Sequence, residues 1–318
     1  MTTSIRPTDL PELRAELMEH YQKPNIVDSW ARRRAPAALE FRDANGMLMA
    51  KVNPTGDTRR LLEIGRLEKA ELFFVSAAMT DVAVAAAATL PSFAVEEFDL
   101  PSSAGLMIFE KPIAADANTE GGYGETVYIA GASWNIIRNQ KAGTLLWLSF
   151  YIDLHQTLDG EVAAGGITEA QAAREKSCQP RYSYTTDGAK LLSVKSELNG
   201  NSVLNLWGRT IVAAWLLSQQ PLADVSEVEA DRAAAKRLKR ARHEARPVRV
   251  VELRRPSSGG GQGEPVSNYQ HQWIVRGHWR NQWHPKREVH RPVWIAPHVK
   301  GPEGAPLLGG EKVYAWKR

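Results

Sequence analysis

Three apolar, strand-like runs follow one another in the middle of the chain, with turn-forming residues between them. They are Leu106 to Phe109, Thr126 to Trp134 and Leu145 to Ile152. Strands joined by short turns pair antiparallel, whereas a regularly alternating parallel sheet needs a helical crossover after each strand. The order of these runs therefore favours an α+β fold over an alternating α/β fold.

Periodicity places further elements around this region. Val203, Trp207, Ile211 and Trp215 recur at steps of four and predict a core-facing helix over Ser202 to Gln219. Other predicted helical segments are Thr8 to Tyr21, one turn at Arg60 to Ile64, Ser76 to Thr89, and a helix capped by Ser226. Predicted strands are a hairpin over Leu39 to Val52 that turns at Asn45-Gly46, and Glu71 to Val75, Val248 to Leu253, Gln272 to Val275, Val293 to Ile295 and Val313 to Trp316.

These elements predict an α+β fold, in which helices pack on a mixed, mainly antiparallel sheet. Residues 256–267, PSSGGGQGEPVS, are typical of a flexible linker or loop because glycine dominates them. The predicted organisation is a body over 1–255 that ends in a basic helix and strand. A β-rich basic segment over 268–318, packed on that body, follows the linker.

Charge is distributed very unevenly along the chain. Residues 1–231 hold 21 basic and 30 acidic side chains, a net charge of −9, whereas residues 232–318 hold 19 and 6, a net charge of +13. Such asymmetry indicates either an electrostatic fit inside the protein or a basic face that meets an acidic partner, most commonly nucleic acid.

Composition excludes several classes of protein. Hydrophobic residues make up 43% and charged residues 24%, which are ordinary globular proportions, and the longest apolar run, Val82 to Leu90, is too short to span a bilayer. The single cysteine, Cys178, excludes an intrachain disulfide and fits a reducing compartment. We therefore expect a cytoplasmic location and no membrane partner.

The most unusual segment is Tyr269 to Lys300, which holds five of the eight histidines and four of the ten tryptophans, interleaved with arginines and lysines. Its candidate binding residues are Arg276, His278, Trp279, Arg280, Trp283, His290 and Trp294. In a nucleic-acid surface, the cations would contact phosphates while the rings stack on unpaired bases.

Two other interpretations of this segment compete. As a metal site, its histidines from His278 to His298 are spaced by six, six and eight residues without a nearby cysteine, which matches no usual zinc arrangement. As a structural element, Trp273, Trp279 and Trp294 would fill a small core with polar groups around them. We expect neither a metal nor a cofactor.

The basic stretch from Arg232 to Arg246 presents a similar choice. It is either a solvated helix face or a phosphate-binding surface whose affinity falls steeply as salt rises. Its candidate binding residues are Arg237, Lys239 and Arg240.

Enzyme motifs match poorly. The glycine-rich segments Gly121 to Thr126 and Gly259 to Gly263 lack the closing Gly-Lys-Ser/Thr of a phosphate-binding loop. Gly131 to Asn135 approaches a nucleophile elbow around Ser133, but Asn135 replaces its closing glycine. We therefore expect no catalytic residues in these segments.

One C-terminal pattern resembles a known family. Val250-Val251-Glu252-Leu253-Arg254 precedes an Arg-Gly-His-Trp-Arg block at 276–280 and a Trp-Ile block at 294–295. This is similar to the signature of a broad family from phages, plasmids and other mobile elements, which includes an anti-CRISPR protein directed at the type V-A nuclease. The resemblance implies a non-enzymatic protein that engages a host protein, a nascent peptide, RNA or a ribonucleoprotein; DNA is a further possible partner.

Two hypotheses from other classes stay open. One is a nucleic-acid-cleaving enzyme or toxin that uses His278 or His290 as general acid or base, beside Arg276 or Arg280. The other is a structural or assembly protein whose C-terminal segment only packs on its own sheet.

Overall fold

The computed structural model describes residues 5–32, 39–42, 47–52, 56–117, 126–139, 143–193, 202–254 and 271–300. The chain divides into two compact units, Met1–Leu253 and Arg254–Arg318. In the part of the chain that the structure describes, every helix is too short or too polar to cross a bilayer.

The first unit combines helices with a large sheet. Its helices are α1 (Leu10–Gln22), α2 (Pro24–Arg32), α3 (Gly56–Lys69), α4 (Ala77–Thr89), α5 (Leu154–Ala163), α6 (Glu169–Cys178), α7 (Ser202–Ser218) and α8 (Arg232–Arg240). Its strands are β1 (Leu39–Arg42), β2 (Leu48–Val52), β3 (Glu71–Val75), β4 (Ala104–Phe109), β5 (Ala114–Ala117), β6 (Thr126–Asn139), β7 (Gly143–Asp153), β8 (Tyr182–Leu191), β9 (Ala223–Val228) and β10 (Val248–Leu253).

The large sheet has eight strands in the order β8-β7-β6-β4-β3-β10-β9, and β5 pairs with β6. Strand β3 is parallel to both β4 and β10, and the other pairs are antiparallel. The separate pair of β1 and β2 is also antiparallel. The fold is therefore α+β with a mixed, mainly antiparallel sheet, as the sequence predicts.

Alternating side chains on β3 build two core layers. Leu72 and Phe74 belong to the core that α1 and α3 cover. Phe73 points to the other face, where its ring centroid lies 5.5 Å from that of Trp134, which in turn lies 4.9 Å from that of Trp215 of α7. The sheet is therefore buried between two layers of helices. This burial requires apolar side chains on both faces of its central strands.

Several predicted elements are confirmed and several are wrong. The helix over Ser202 to Gln219 and the strands β3, β7 and β10 are present. Ser226 does not cap a helix, because it lies in strand β9, and α8 is instead capped by Asp231, whose Oδ1 accepts from Ala234 N at 2.8 Å. The single turn at Arg60 to Ile64 is part of the longer helix α3.

Other predictions fall on residues outside those described. They concern the Asn45-Gly46 turn, the linker over 256–267 and the strand over Val313 to Trp316. The limits of the predicted body, linker and C-terminal segment stay predictions.

The described part of the second unit is a two-stranded ribbon over residues 273–300. Its strands are β11 (Trp273–Val275), β12 (His278–His284), β13 (Val289–Ile295) and β14 (His298–Lys300). Strand β11 pairs with β14 and β12 with β13, both antiparallel, so the ribbon is one long hairpin interrupted at 276–277 and 296–297.

Candidate nucleic-acid interface

The register of β12 and β13 sorts the ribbon side chains onto two faces. Trp279 pairs with Trp294 and Trp283 pairs with His290, so these four rings share one face, the aromatic face. Side chains alternate along a strand, which places the intervening residues on the opposite, basic face. That face carries His278, Arg280, Gln282, His284 and Arg291.

The aromatic face contains one ring pair in which Trp294 is buried and Trp279 half-buried, and a second, exposed ring pair. Trp279 and Trp294 meet edge to face, with ring centroids 5.3 Å apart, and Trp294 is only 7% exposed. Trp283 and His290 have centroids 4.9 Å apart, and Trp283 is 48% exposed. The first pair therefore serves the packing of the ribbon, whereas the second presents a ring to solvent.

Gly277 makes the close approach of Trp294 possible. A Cβ atom at position 277 would lie 2.4 Å from Cζ2 of Trp294. Real Cβ atoms essentially never approach another heavy atom so closely, so any other residue here would displace the indole ring. The Arg-Gly-His-Trp-Arg block thus has a packing reason for its glycine.

The cations of the ribbon are mostly on its surface. Arg276 and Arg280 are exposed, and Nη2 of Arg280 donates to Oε1 of Gln282 on the same face. Arg291 is half-buried, and its Nη1 donates to the carbonyl of His290 at 3.3 Å. Arg276 and Arg280 are therefore accessible to an anion in solution.

The ring orientation of two ribbon histidines is set by backbone carbonyls. Nδ1 of His278 lies 3.1 Å from the carbonyl oxygen of Arg276, and Nδ1 of His298 lies 3.1 Å from that of Ala296. A carbonyl only accepts, so Nδ1 carries the proton and Nε2 of the neutral ring is the acceptor. Among the described residues, no three His, Cys, Asp or Glu side chains are arranged to hold a metal ion.

Helix α8 lies in the first unit and carries the other three candidate residues. Arg237 makes a bidentate contact with Glu12 of α1, with Nε–Oε1 at 2.6 Å and Nη2–Oε2 at 2.8 Å. This hydrogen bonding to Glu12 raises the pKa of Arg237. Lys239 and Arg240 are exposed like Arg237, but among the described residues they have no such carboxylate partner.

Further basic residues that follow α8 also contact carboxylate or carbonyl groups of the first unit. Nε2 of His243 lies 3.0 Å from Oε1 of Glu19, and Arg249 lies 2.6 Å from Glu71. Arg246 donates at 2.8 Å to the carbonyl of Lys69. Part of the charge asymmetry in the sequence is therefore an internal electrostatic fit.

A buried polar cluster between α3 and the sheet was not predicted. Oε1 of Glu63 accepts from Ser133 Oγ at 2.8 Å and from the Tyr151 hydroxyl, and Oε2 accepts from Ser149 Oγ at 2.7 Å. Nη1 of Arg66 donates to Ser149 Oγ at 2.7 Å, and Nη2 lies 3.2 Å from Glu63 Oε2. Burial is the main cause of a raised pKa at Tyr151.

Every member of this cluster is at most 3% exposed, so none of them meets a solute from solvent. Ser133 lies in the middle of β6, not at a strand-to-helix turn, which excludes the nucleophile elbow. A sequence signal exists: Glu63 and Arg66 are three apart on one helix, and Ser133 and Ser149 interrupt apolar strands. Their convergence, however, requires the strand register Ser133↔Ser149.

Comparison with known proteins gives one structural match. No family model and no curated protein matches the sequence. Among solved structures, the crystal structure of AcrVA2 aligns with a TM-score of 0.36 and 12% sequence identity, over 92% of this chain and 94% of that chain. At this TM-score the match does not establish a shared fold.

Proposed function

We propose that this protein is a non-enzymatic binding protein of a phage or mobile element that engages a host ribonucleoprotein, with its ribbon contacting unpaired RNA. Two observations support the proposal. The C-terminal sequence block resembles the mobile-element family, and the ribbon combines exposed rings with exposed cations. The exposed rings of the ribbon are the observation that supports contact with unpaired RNA.

The central observation is the cross-strand pair of Trp283 and His290. Trp283 is half exposed although it lies in a regular strand, and His290 beside it is also exposed. An exposed tryptophan gains about 1–3 kcal/mol when a base stacks on it, and this gain is largely independent of base identity. Arg276 on the same ribbon would supply a contact to a phosphate, and Arg280 on the opposite face would contact a different phosphate.

The direct test is a titration of fluorescein-labelled polyuridylate into the full-length protein and its Trp283→Ala variant. Loss of one stacked base is expected to weaken binding roughly 5- to 150-fold. Ile274→Ala is the matched control, because Ile274 is an exposed apolar residue of the same ribbon, 51% exposed. Equal affinity of wild type and Trp283→Ala would refute the RNA contact.

The host-directed part of the proposal depends on the sequence resemblance to the anti-CRISPR-containing family. Its test is an affinity purification from host cytosol at two salt concentrations, with and without RNase. A salt-sensitive ribosomal or RNA fraction is the expected result. Capture of one salt-resistant protein, unaffected by RNase, would instead make this protein a dedicated protein inhibitor.

For the nucleic-acid-cleaving alternative, the ribbon geometry favours some pairs of histidine and arginine over others as the catalytic groups. His290 and Arg280 lie on opposite faces of the ribbon, which disfavours their joint action on one phosphate. His278 and Arg280 share the basic face, and His278 keeps Nε2 as the acceptor that a general base requires. RNA cleavage that is present in wild type and lost in His278→Ala, with the fold retained, would favour this alternative.

A further inference from the structure

Helix α8 has cationic side chains on one side and buried apolar side chains on the other. With about 100° between successive residues, Arg232, Lys236, Lys239 and Arg240 fall within an arc of about 100°. We call these four residues the α8 stripe. Ala234 and Leu238, which are buried at 1% and 3% exposure, lie on the opposite side.

Among the described residues, the α8 stripe has no partner inside the protein. All four side chains are exposed, and none has a hydrogen bond or an ion pair within the described residues. Arg237, at the flank of the stripe, is held by Glu12. Residues 1–231, which form most of this unit, carry a net charge of −9, so an unpartnered run of cations stands out from its surroundings.

The spacing within the α8 stripe is electrostatically unfavourable for the protein alone. Arg232 and Lys236, and again Lys236 and Arg240, are like charges four residues apart, which destabilise a helix. Arg232 is also in the first turn, where the helix dipole disfavours a cation. The dipole does favour Lys239 and Arg240 at the other end, so helix stability explains only part of the stripe.

We infer that the α8 stripe binds the phosphodiester backbone of nucleic acid. The stripe extends about 12 Å along the helix axis, which corresponds to about three or four phosphates at roughly 3.4 Å of axis per phosphate in one strand of B-form DNA. Because lysine and arginine contact phosphates without reading bases, this surface provides affinity without sequence selectivity. The inference rests on the proposed function in one respect, namely that the partner contains nucleic acid.

The test uses the full-length protein with Lys236→Gln/Lys239→Gln and a matched control, Lys23→Gln/Arg174→Gln. Both variants lose two exposed cations, and glutamine is a good helix former. Binding of fluorescein-labelled polyuridylate and of a labelled RNA duplex is measured between about 50 and 200 mM salt. The salt slope is the magnitude of the slope of log affinity against log salt concentration. Each lost phosphate contact lowers it by about one.

The expected result is a slope lower by about two in the stripe variant, so that wild type loses about 16-fold more affinity than the variant across this salt range. The control should keep the wild-type slope. An unchanged slope in the stripe variant, or an equal reduction in the control, would overturn the inference. So would stripe-dependent binding to phosphatidylserine vesicles without any binding to RNA.

Failure of this inference and failure of the ribbon contact are distinguishable. Trp283→Ala removes a stacking contact, so it is expected to lower affinity while leaving the salt slope unchanged. The stripe variant changes the slope itself. Suppose that Trp283→Ala lowers affinity as expected while the stripe variant keeps the wild-type salt slope. This outcome would refute only phosphate binding by the α8 stripe.

Discussion

Ser149 Oγ lies 2.7 Å from the buried carboxylate of Glu63, and this contact joins helix α3 to strand β7 of the large sheet. Glu63 and Arg66 form an ion pair that water hardly reaches, with side chains 1% and 2% exposed. Arg66 also lies over the ring of Trp147, with its Cζ 5.4 Å from the ring centroid. A buried charge pair of this kind fixes the position of the helix through specific hydrogen bonds as well as apolar contact.

Removal of the Glu63 carboxylate should be severely destabilising. Glu63→Ala leaves the guanidinium of Arg66 buried without its counter-ion, which costs about 3–5 kcal/mol in the free energy of unfolding. Ser149→Ala removes only one neutral partner of this pair and should cost about 1–3 kcal/mol. Urea denaturation followed by circular dichroism measures both values. Similar losses for the two variants would show that Arg66 does not need its partner.

A double replacement separates the charge from the shape of this cluster. Glu63→Leu/Arg66→Met replaces both ions with apolar groups and should be more stable than Glu63→Ala, because no uncompensated charge is buried. If the double variant were less stable than Glu63→Ala, packing would dominate over charge at this site.

Gly277→Ala should disrupt the Trp279–Trp294 ring pair of the ribbon. The new Cβ atom would overlap the ring of Trp294, and overpacking of this kind costs about 1–3 kcal/mol. The indole ¹H–¹⁵N resonances of Trp279 and Trp294 should shift strongly, whereas those of buried Trp134 and Trp215 should not. Unchanged Trp279 and Trp294 resonances would mean that the ring pair does not depend on the glycine.

Gly65→Ala should stabilise the first unit by about 0.5–1 kcal/mol. Gly65 lies inside α3, nothing lies within 4 Å of its added Cβ, and alanine loses less backbone entropy on folding. Gly143→Ala is the contrasting control: its Cβ also meets nothing, but its φ of +84° strains an L side chain. The urea midpoint should rise above that of wild type in Gly65→Ala and fall below it in Gly143→Ala. Stabilisation by Gly143→Ala would contradict this prediction.

Stability should fall between pH 6.5 and 4 partly because of His20. Burial is the main cause that lowers the pKa of His20 to about 4, whereas an unfolded histidine titrates near 6.5. The unfolded chain therefore binds this proton first as pH falls, so protonation favours unfolding in that window. His20→Gln should show a smaller loss of urea midpoint from pH 7 to pH 4 than wild type. Equal losses would assign the pH dependence to other groups.

Most regular elements with a strong local pattern could be predicted from the sequence. The stripe of large residues on α7 and the apolar run of β7 each identify their element, because burial on one or both faces imposes a clear pattern. Ser226 misled the prediction, because a serine followed by acidic residues is typical of a helix start. Pairing of β9 with β10 decides that segment, and such pairing depends on residues distant in sequence.

The candidate site was predictable in composition but not in arrangement. The interleaved Trp, His and Arg residues of the ribbon are visible in the sequence. Which tryptophan is buried depends on the β12–β13 register, which places Trp294 against Trp279 and leaves Trp283 with His290. The sequence shows the cations of α8. Only the contact with α1 in the structure reveals that Arg237 forms an ion pair with Glu12.

The sequence by itself determined the α+β class, the concentration of positive charge after residue 231 and the aromatic, basic character of 273–300, since these follow from local periodicity and composition. The tertiary structure alone decided the partners. It placed Glu63 and Arg66 against Ser149, joined Arg237 to Glu12 and left Lys236 and Lys239 without a partner in the part of the chain that the structure describes. The physical reason is that burial and ion pairing depend on distances between residues far apart in the chain, which local patterns do not encode.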